Sequence, residues 1–415
     1  MPGPSARDEA AARRTTSTTQ GIDEATLPAD GIVGPVEVGS VAHGGHCVAR
    51  LDGRVIFVRH ALPGEVVRVR LTDTSHASFW RGDAVEVLQA SPGRTTPRCP
   101  VAGPGMCGGC DWQHATPQTQ RELKASVIRE QLAHLAGIDV DVEVEELPGG
   151  TFGWRTRMGY VTRDGRATMR RHRSKELVEV PADGCPLAIE AQPNPHALAA
   201  PLGPDEHLLR VATSAEGRTS VLVDGVLSSG EPELVEHAAG RDWRVDADGF
   251  WQGHPAAADT LVEAVLDGLA PEAGERAFDL YCGVGLFAGA LVDAGVQVWG
   301  VEIDKRAVEL AQANVPQGRF TAGKVDRVVR RMPRATDLVV LDPPRTGAGK
   351  DVIDAVASRN PRAIAYVACD PAALGRDLGR LRKQGYELES LRSFDLFPNT
   401  HHIECVAICV PAVVI

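Results

Sequence analysis

A cysteine at the end of an apolar run is the first residue whose position suggests chemistry. Residues 363–368 (AIAYVA) have the length and β-branched content of a buried parallel strand, and an Ala/Leu-rich helical pattern follows Cys369-Asp370-Pro371. Ligands bind at the carboxyl edge of open α/β sheets, so this turn places the Cys369 thiol where chemistry usually occurs. A lone cysteine is more often an inert core residue. Cys369 is therefore a candidate nucleophile only if further site residues accompany it.

Two other strand ends carry the parts of a cofactor site. The apolar strand at 277–281 runs into the glycine turn at 282–285 (CGVG), and the strand at 296–302 ends in Glu302. Glycines let the backbone approach a cofactor, and an acid about 20 residues further on can hold a pair of ribose hydroxyls. The third glycine of the dinucleotide fingerprint is missing. This favours S-adenosylmethionine over a nicotinamide cofactor, because S-adenosylmethionine has no pyrophosphate.

Candidate acids and bases follow the last two apolar runs. Asp342 comes after the strand at 337–341 and begins a D-P-P motif, which is typical of methyltransferases that act on nucleobases and amides. The prolines stiffen the loop in which they lie. The final strand begins with Glu404, and His401 and His402 precede it as alternative bases. From residue 246 onward, alternating strands and helices predict an α/β domain of the Rossmann type.

Four cysteines have the setting of metal ligands. Three of them, Cys99, Cys107 and Cys110, lie in one loop rich in glycine and proline, and Cys185 precedes a proline in a turn. Four thiolates suit zinc or an iron–sulfur cluster. Zinc sites usually have two close C-x-x-C pairs and this chain has one, so the distribution favours a [4Fe–4S] cluster over zinc. The spacing differs from the C-x-x-x-C-x-x-C of radical enzymes, and Cys47, Cys282, Cys405 and Cys409 are expected to be packing residues.

The N-terminal half indicates binding of nucleic acid. Residues 29–92 contain short β segments between glycine and proline turns, which predict a small barrel of the oligonucleotide-binding type, whereas residues 1–28 have the composition of a disordered tail. The pattern at 117–136 predicts an amphipathic helix. Residues 154–175 hold eight arginines and lysines against Asp164 alone, interleaved with aromatic residues, and this favours a surface that receives RNA.

Composition limits the remaining choices of binding partner and cellular compartment. The chain has 415 residues and a net charge of −11, which argues against a protein that simply coats nucleic acid but leaves room for a local basic patch. No run approaches 18 apolar residues, and the N-terminus lacks the apolar core of a signal peptide. Nine cysteines without a secretory signal indicate a reducing compartment. We therefore expect a cytoplasmic protein without membrane contact, acting as a monomer.

The ordered series of motifs from about residue 30 to 409 resembles the RNA (uracil-5-)-methyltransferase family. The series is a TRAM-like barrel, C…C-x-x-C…C, F-W-Q, D-L-Y-C-G-V-G, V-E-I-D, D-P-P-R, Y-V-A-C-D-P and F-P-x-T-x-H-x-E. The resemblance implies a tail at 1–28, a TRAM-like RNA-binding barrel at 29–92 and a β-rich central iron–sulfur domain at 93–245. It also implies an S-adenosylmethionine-dependent class I methyltransferase domain, Rossmann-like, at 246–415.

The same resemblance assigns roles to residues. It implies methylation of carbon 5 of a uridine in ribosomal RNA or tRNA, with Cys369 as the nucleophile and Glu404 as the general base. The implied contacts to S-adenosylmethionine are Gln252, Tyr281, Gly283, Glu302 and Asp342. The implied ligands of the [4Fe–4S] cluster are Cys99, Cys107, Cys110 and Cys185. The chain departs from the family by having Asp370 where an asparagine that helps to hold the base is common.

Two other classes of protein remain open at this point. One is a non-catalytic RNA-binding protein that has the same barrel and cluster. The other is a methyltransferase of the same fold that acts on an amine or an amide, a reaction that needs no cysteine nucleophile.

Overall fold

A computed structural model describes residues 28–412 of the chain. The predicted N-terminal tail lies outside the described residues except for Pro28. By compactness the chain divides into two units: residues up to Ser40 with 47–91, and residues 41–46 with 92–415. The predicted boundary between a central and a catalytic domain falls inside the second unit and stays a prediction. No helix within residues 28–412 is long and apolar enough to cross a membrane.

The first unit is a closed five-stranded β-barrel, as predicted. Its strands are β1 (Ile32–Val41), β2 (Cys47–Leu51), β3 (Arg54–Arg59), β4 (Val66–Asp73) and β5 (Phe79–Gln89), in the order β1-β2-β3-β5-β4. Alternate apolar side chains, among them Ile56, Val58, Val67 and Val69, fill the interior around the fully buried Trp80. Closure removes free strand edges. The sequence interpretation missed β2, since five residues beside a glycine turn give little periodicity.

The second unit begins with a helix that the sequence pattern predicted at the same bounds, α1 (Pro117–Ala136). The Thr116 side chain caps its N-terminus, and Gly137, at φ 63°, ends it in the left-handed conformation. A six-stranded sheet follows the short strand β6 (Val144–Glu145). The sheet and its flanking elements are β7 (Arg157–Arg163), β8 (Arg166–Arg170), β9 (Leu177–Glu179), α2 (Pro195–Ala199), a 3₁₀ turn (Ala200–Leu202), β10 (His207–Thr213), β11 (Thr219–Val223) and β12 (Val226–Ser229).

The remaining elements form an eight-stranded sheet between helices, preceded by a hairpin of β13 (Glu233–Ala238) and β14 (Arg241–Asp246). In chain order they are α3 (Ala257–Leu269), β15 (Arg276–Leu280), α4 (Leu286–Asp293), β16 (Gln297–Glu302), α5 (Lys305–Asn314), β17 (Arg319–Ala322), α6 (Val325–Val328), a 3₁₀ turn (Val329–Arg331), β18 (Leu338–Leu341), α7 (Lys350–Ala357), β19 (Ala363–Ala368), α8 (Pro371–Lys383), β20 (Tyr386–Phe394) and β21 (Glu404–Pro411).

The strand order in this sheet is β17-β16-β15-β18-β19-β21-β20-β6, with the first five strands parallel and β21 antiparallel to both of its neighbours. Successive residues of a strand face opposite sides. Val340 therefore packs with α3 and α4, whereas Val339 packs with α1, α7 and α8. This doubly covered sheet is the predicted Rossmann-like α/β fold. Because β21 is antiparallel, its first residue lies at the edge where the parallel strands end.

Candidate active site

A cleft of about 1280 Å³ lies at the carboxyl edge of the parallel strands. Every residue predicted from the sequence to act in catalysis or to contact the cofactor lines it. These residues are Gln252, Tyr281, Gly283, Glu302, Asp342, Cys369 and Glu404. Most of them end or follow a parallel strand; Glu404 begins the antiparallel β21, and Gln252 lies in the loop between β14 and α3. The fold therefore brings together positions that lie as much as about 150 residues apart.

The turn after β15 is shaped for a close approach to the backbone. Tyr281 and Gly283 have φ values of 68° and 52°, and a Cβ added at Gly283 would meet nothing within 4 Å. The Gly283 amide donates a hydrogen bond of 3.2 Å to Glu302 Oε2. The other carboxylate oxygen of Glu302 accepts from the amides of Ile303 and Asp304, at 2.6 and 2.9 Å. The acid at the end of β16 is thus held beside the glycine turn.

Apolar side chains at the mouth of the cleft are unusually exposed. Phe250 is 74% and Ile303 is 62% exposed, and both line the cleft. Large apolar residues that remain uncovered at a cleft indicate contact with a flat, partly apolar ligand. The sequence interpretation singled out neither of them as a site residue. The available signal was proximity in the sequence to predicted cofactor contacts. Phe250 stands two residues before Gln252, and Ile303 directly follows Glu302.

Strand register places the thiol and the last carboxylate side by side. Ala368 at the end of β19 pairs with Cys405 on β21. Cys369 and Glu404, the next residue along β19 and the previous one along β21, are therefore neighbours at the sheet edge. Burial, with the charges of Glu404 and Asp342, raises the pKa of Cys369 to about 12, although Arg345 acts in the opposite direction. This raised pKa favours the neutral thiol over the thiolate near neutral pH.

Two buried carboxyl groups, those of Glu404 and Asp342, act on the thiol, and a third, that of Asp279, acts together with Asp342. Burial and the charge of Asp342 raise the pKa of Glu404 well above its ordinary value. Burial and Glu302 raise the pKa of Asp342 to about 7. Burial, Asp342 and Glu302 raise the pKa of Asp279 to about 8, against the opposing effect of the bond from the Ala288 amide. A carboxylate that binds protons this strongly is a competent base near neutral pH.

The two histidines named as alternative bases have other surroundings. Burial, His401 and Arg345 lower the pKa of His402 to about 3, and its Nε2 lies 3.3 Å from an Arg345 nitrogen. His402 is therefore neutral and a weak base. His401 Nδ1 lies 2.6 Å from Asp111 Oδ2. Glu404 is the stronger candidate base of the three.

The four predicted metal ligands line one small cavity of about 20 Å³ away from the cleft. Burial raises the pKa values of Cys99 and Cys185, and it raises that of Cys110 to about 12. Gln113 and the Gly109 amide donate to Cys110 and Cys107 sulfurs, as ligands of a metal centre require. In the part of the chain that the structure describes, however, no three His, Cys, Asp or Glu side chains are placed to hold a metal ion. The four cysteines line the same cavity, but their side chains are not placed as a complete set of metal ligands.

In the folded protein, acidic side chains lie beside several of the arginines in the basic cluster at 154–175. Four of its arginines form ion pairs with acids that lie outside the run or at its far end: Arg157–Glu236, Arg163–Glu206, Arg166–Glu179 and Arg171–Glu176. Arg155 and Arg170 donate to backbone carbonyls. These acids therefore balance part of the positive charge of the run.

Comparisons with known proteins agree with this geometry. The family model described as tRNA (Uracil-5-)-methyltransferase matches residues 328–410, which include Asp342, Cys369 and Glu404. The TRAM domain model matches residues 31–85, and the methyltransferase small domain model matches residues 256–362.

Relatives match along almost the whole chain. A protein of Streptomyces avermitilis named as an uncharacterized RNA methyltransferase is 47% identical, covering 91% of this chain and 98% of the relative. A similarly named protein of Streptomyces coelicolor is 44% identical, covering 91% and 92%. The crystal structure of Pyrococcus abyssi tRNA (uracil-54, C5)-methyltransferase in complex with S-adenosyl-L-homocysteine shares the fold, with a TM-score of 0.70 and 21% identity over 91% of this chain and 99% of that one. The chain belongs to the RNA (uracil-5-)-methyltransferase family and is an RNA methyltransferase.

Proposed function

We propose that the protein methylates carbon 5 of a uridine in ribosomal RNA or tRNA, with S-adenosylmethionine as the methyl donor. The observation that carries the proposal is the register of β19 and β21, which sets a thiol beside a buried carboxyl group in the cleft. Neither an RNA-binding protein without activity nor an amine methyltransferase requires that pair.

The cleft suits the proposed donor. S-adenosylmethionine, when bound, supplies an electrophilic methyl group on a sulfonium sulfur. Glu302 would accept from the ribose hydroxyls, and the open backbone at Gly283 leaves room for the donor next to that acid. Gln252, Tyr281 and Asp342 would complete the contacts from the cleft walls. The buried carboxyl groups favour a positively charged ligand.

The protein's own residues would then activate the uracil. The Cys369 thiolate adds to carbon 6, forming a C–S bond and shifting the ring's π electrons towards carbon 5 and oxygen 4. Carbon 5 becomes nucleophilic and would take the methyl group as the donor's methyl–sulfur bond breaks, with that electron pair remaining on the sulfur of the departing thioether. Glu404 removes the remaining proton from carbon 5, the C5–C6 double bond reforms, and the thiolate leaves. The target uridine must be flipped out of its helix or loop, because the thiolate approaches the face of the ring.

Tritium release tests this proposal. RNA labelled at uracil carbon 5 is incubated with the protein and S-adenosylmethionine, using unmodified tRNA and ribosomal RNA in parallel. We expect release from one RNA and complete loss of release in the Cys369→Ala variant. Methyl transfer without release would indicate another target atom, such as an amine. No transfer to any RNA would favour the non-catalytic RNA-binding protein.

We also propose that Cys99, Cys107, Cys110 and Cys185 hold a [4Fe–4S] cluster. Their convergence on one cavity supports it, because unrelated free cysteines have no reason to meet there. Iron and acid-labile sulfide are measured in protein purified without oxygen. The Cys110→Ser variant should lose both, and the Cys409→Ala variant, which changes a cysteine of the core, should lose neither. Zinc without sulfide would contradict the cluster.

A further inference from the structure

Asp370, the residue after the proposed nucleophile, uses both of its carboxylate oxygens in hydrogen bonds. Asp370 Oδ1 accepts from the Ala373 amide at 2.7 Å and so caps α8, whose first residue is Pro371. Asp370 Oδ2 lies 2.9 Å from His43 Nε2. Only Cys369 and Asp370 separate the end of β19 from the start of α8. Any movement of the Asp370 side chain is therefore passed directly to Cys369.

His43 is presented to Asp370 by a segment that is itself held in place. Residues 41–46 belong to the same compact unit as Cys369. The Trp112 indole donates to the Gly45 carbonyl at 3.0 Å. Gly45 has a φ of 81°, and a Cβ there would lie 2.6 Å from the His401 Cβ, so only glycine fits this approach. Contacts to Trp112 and His401 therefore fix the backbone that carries His43.

The charges around His43 favour its protonated form. The hydrogen bond to Asp370 is the largest effect and raises the pKa of His43, as do the charges of Asp370 and of Glu130 on α1. Partial burial and Arg376 on α8 act in the opposite direction without cancelling the rise. Burial acts to raise the pKa of Asp370, but the bonds from His43 and the Ala373 amide hold it below its ordinary value. The contact is thus a charge-assisted hydrogen bond.

We propose that His43 is a positioning residue for methyl transfer, which holds the Asp370 side chain and thereby fixes the turn that carries Cys369. The inference rests on the proposed role of Cys369. Neither His43 nor Asp370 lines the cleft, whereas Cys369 does. The pair therefore acts through the nucleophile rather than on the uracil ring.

Removal of the imidazole tests the proposal. We expect His43→Ala to lower kcat about tenfold, because small displacements of a reacting atom are costly, and to leave KM for S-adenosylmethionine unchanged. His43→Gln keeps an N–H donor and should recover most of the rate. The matched control is His207→Ala, on β10 of the six-stranded sheet. It removes a similar imidazole–carboxylate contact, in which His207 Nδ1 lies 2.8 Å from Asp224 Oδ2. This control should retain the wild-type kcat.

The route of the effect is tested in a second background. If His43 acts through Asp370, then His43→Ala should cost almost nothing further in a protein that already carries Asp370→Ala. An equal loss in both backgrounds would overturn the proposal and indicate that His43 contacts the RNA directly. An unchanged kcat in His43→Ala alone would also overturn it.

The pH dependence provides a readout that a purely structural role would not change. A raised folded-state pKa means that the charge-assisted bond is complete at low pH and weakens as pH rises through that pKa. The ratio of wild-type to His43→Ala rates should therefore fall as pH rises through the raised pKa of His43. A flat ratio would contradict the proposal. Activity that survives Cys369→Ala would instead contradict the proposed function, whatever His43 does.

Discussion

At the scale of single residues, the site is a thiol among buried carboxyl groups. Ionising carboxyl groups that are buried is costly, which is why the pKa values of Asp342 and Glu404 rise. A positively charged donor offsets that cost, and its arrival favours the carboxylate forms. Arg345 is the cation of the described site that acts on both Cys369 and Glu404. The same electrostatics would therefore bind the donor and prepare the base.

Replacing the proposed base should separate the two halves of the reaction. In Glu404→Gln the thiol can still add to the ring, but proton removal is lost, so turnover should fall by about 10² to 10⁴. A covalent protein–RNA adduct should accumulate, and it is measured by its reduced mobility on a denaturing gel. Glu389→Gln, an exposed substitution on β20, is the control and should behave like the wild type. Normal turnover in Glu404→Gln would exclude Glu404 as the base.

At the scale of elements, hydrogen bonds from α1 hold the loop between β20 and β21 in place. Lys124 Nζ lies 2.6 Å from Asp395 Oδ1 and donates to the Phe397 carbonyl at 3.1 Å. Gln120 on the same helix accepts from the Asn399 amide at 2.7 Å. This loop leads into Glu404. A helix outside the sheet thus fixes the approach to the proposed base.

The buried ion pair should be a large contributor to stability. Lys124→Ala leaves the Asp395 carboxylate buried without its cation, and we expect a loss of about 3–5 kcal/mol in the free energy of unfolding. Urea unfolding followed by circular dichroism measures it. The control is Arg129→Ala on the same helix, whose contact to Asp141 is exposed and should contribute little to the free energy of unfolding. Equal losses in the two variants would contradict this account.

At the scale of the whole molecule, the proposed cluster loop and the catalytic loop belong to one compact unit. Asp111, the residue after Cys110, accepts from the His401 amide at 3.1 Å, and the Asp111 amide donates to the Asn399 carbonyl at 2.9 Å. These two hydrogen bonds therefore connect the cysteine loop to the loop that leads to Glu404. If the four cysteines hold the proposed cluster, this link would give it a positioning role without any redox step.

Buried carboxyl groups should also make the stability of the donor-free protein depend on pH. Burial raises the pKa of Asp279 to about 8 from an ordinary value near 4, so its contribution to stability is complete below about pH 4 and is lost as pH rises towards 8. We expect the melting temperature to fall by a few degrees between about pH 4 and 8. Asp279→Asn keeps an acceptor for the Ala288 amide and should flatten the curve. An unchanged slope in that variant would assign the pH dependence to other groups.

Much of the site could be predicted because its parts are local. An apolar run ending in Cys369, a glycine turn after β15 and acids after β16 and β18 are each visible within about ten residues, and parallel strands necessarily end at one edge. The helix at 117–136 and the strand at 363–368 were predicted at their observed bounds for the same reason. Strand periodicity and capping residues are properties of the local chain.

Tertiary structure alone decided which distant residues meet. That β21 lies antiparallel beside β19, with Ala368 opposite Cys405, is what makes Glu404 a neighbour of Cys369. Packing of loops and sheets brings the His43 imidazole to Asp370 and pairs arginines of the basic run with acids elsewhere. Local pattern carries no information on register between segments far apart in the chain, since that register is selected by packing of the complete core.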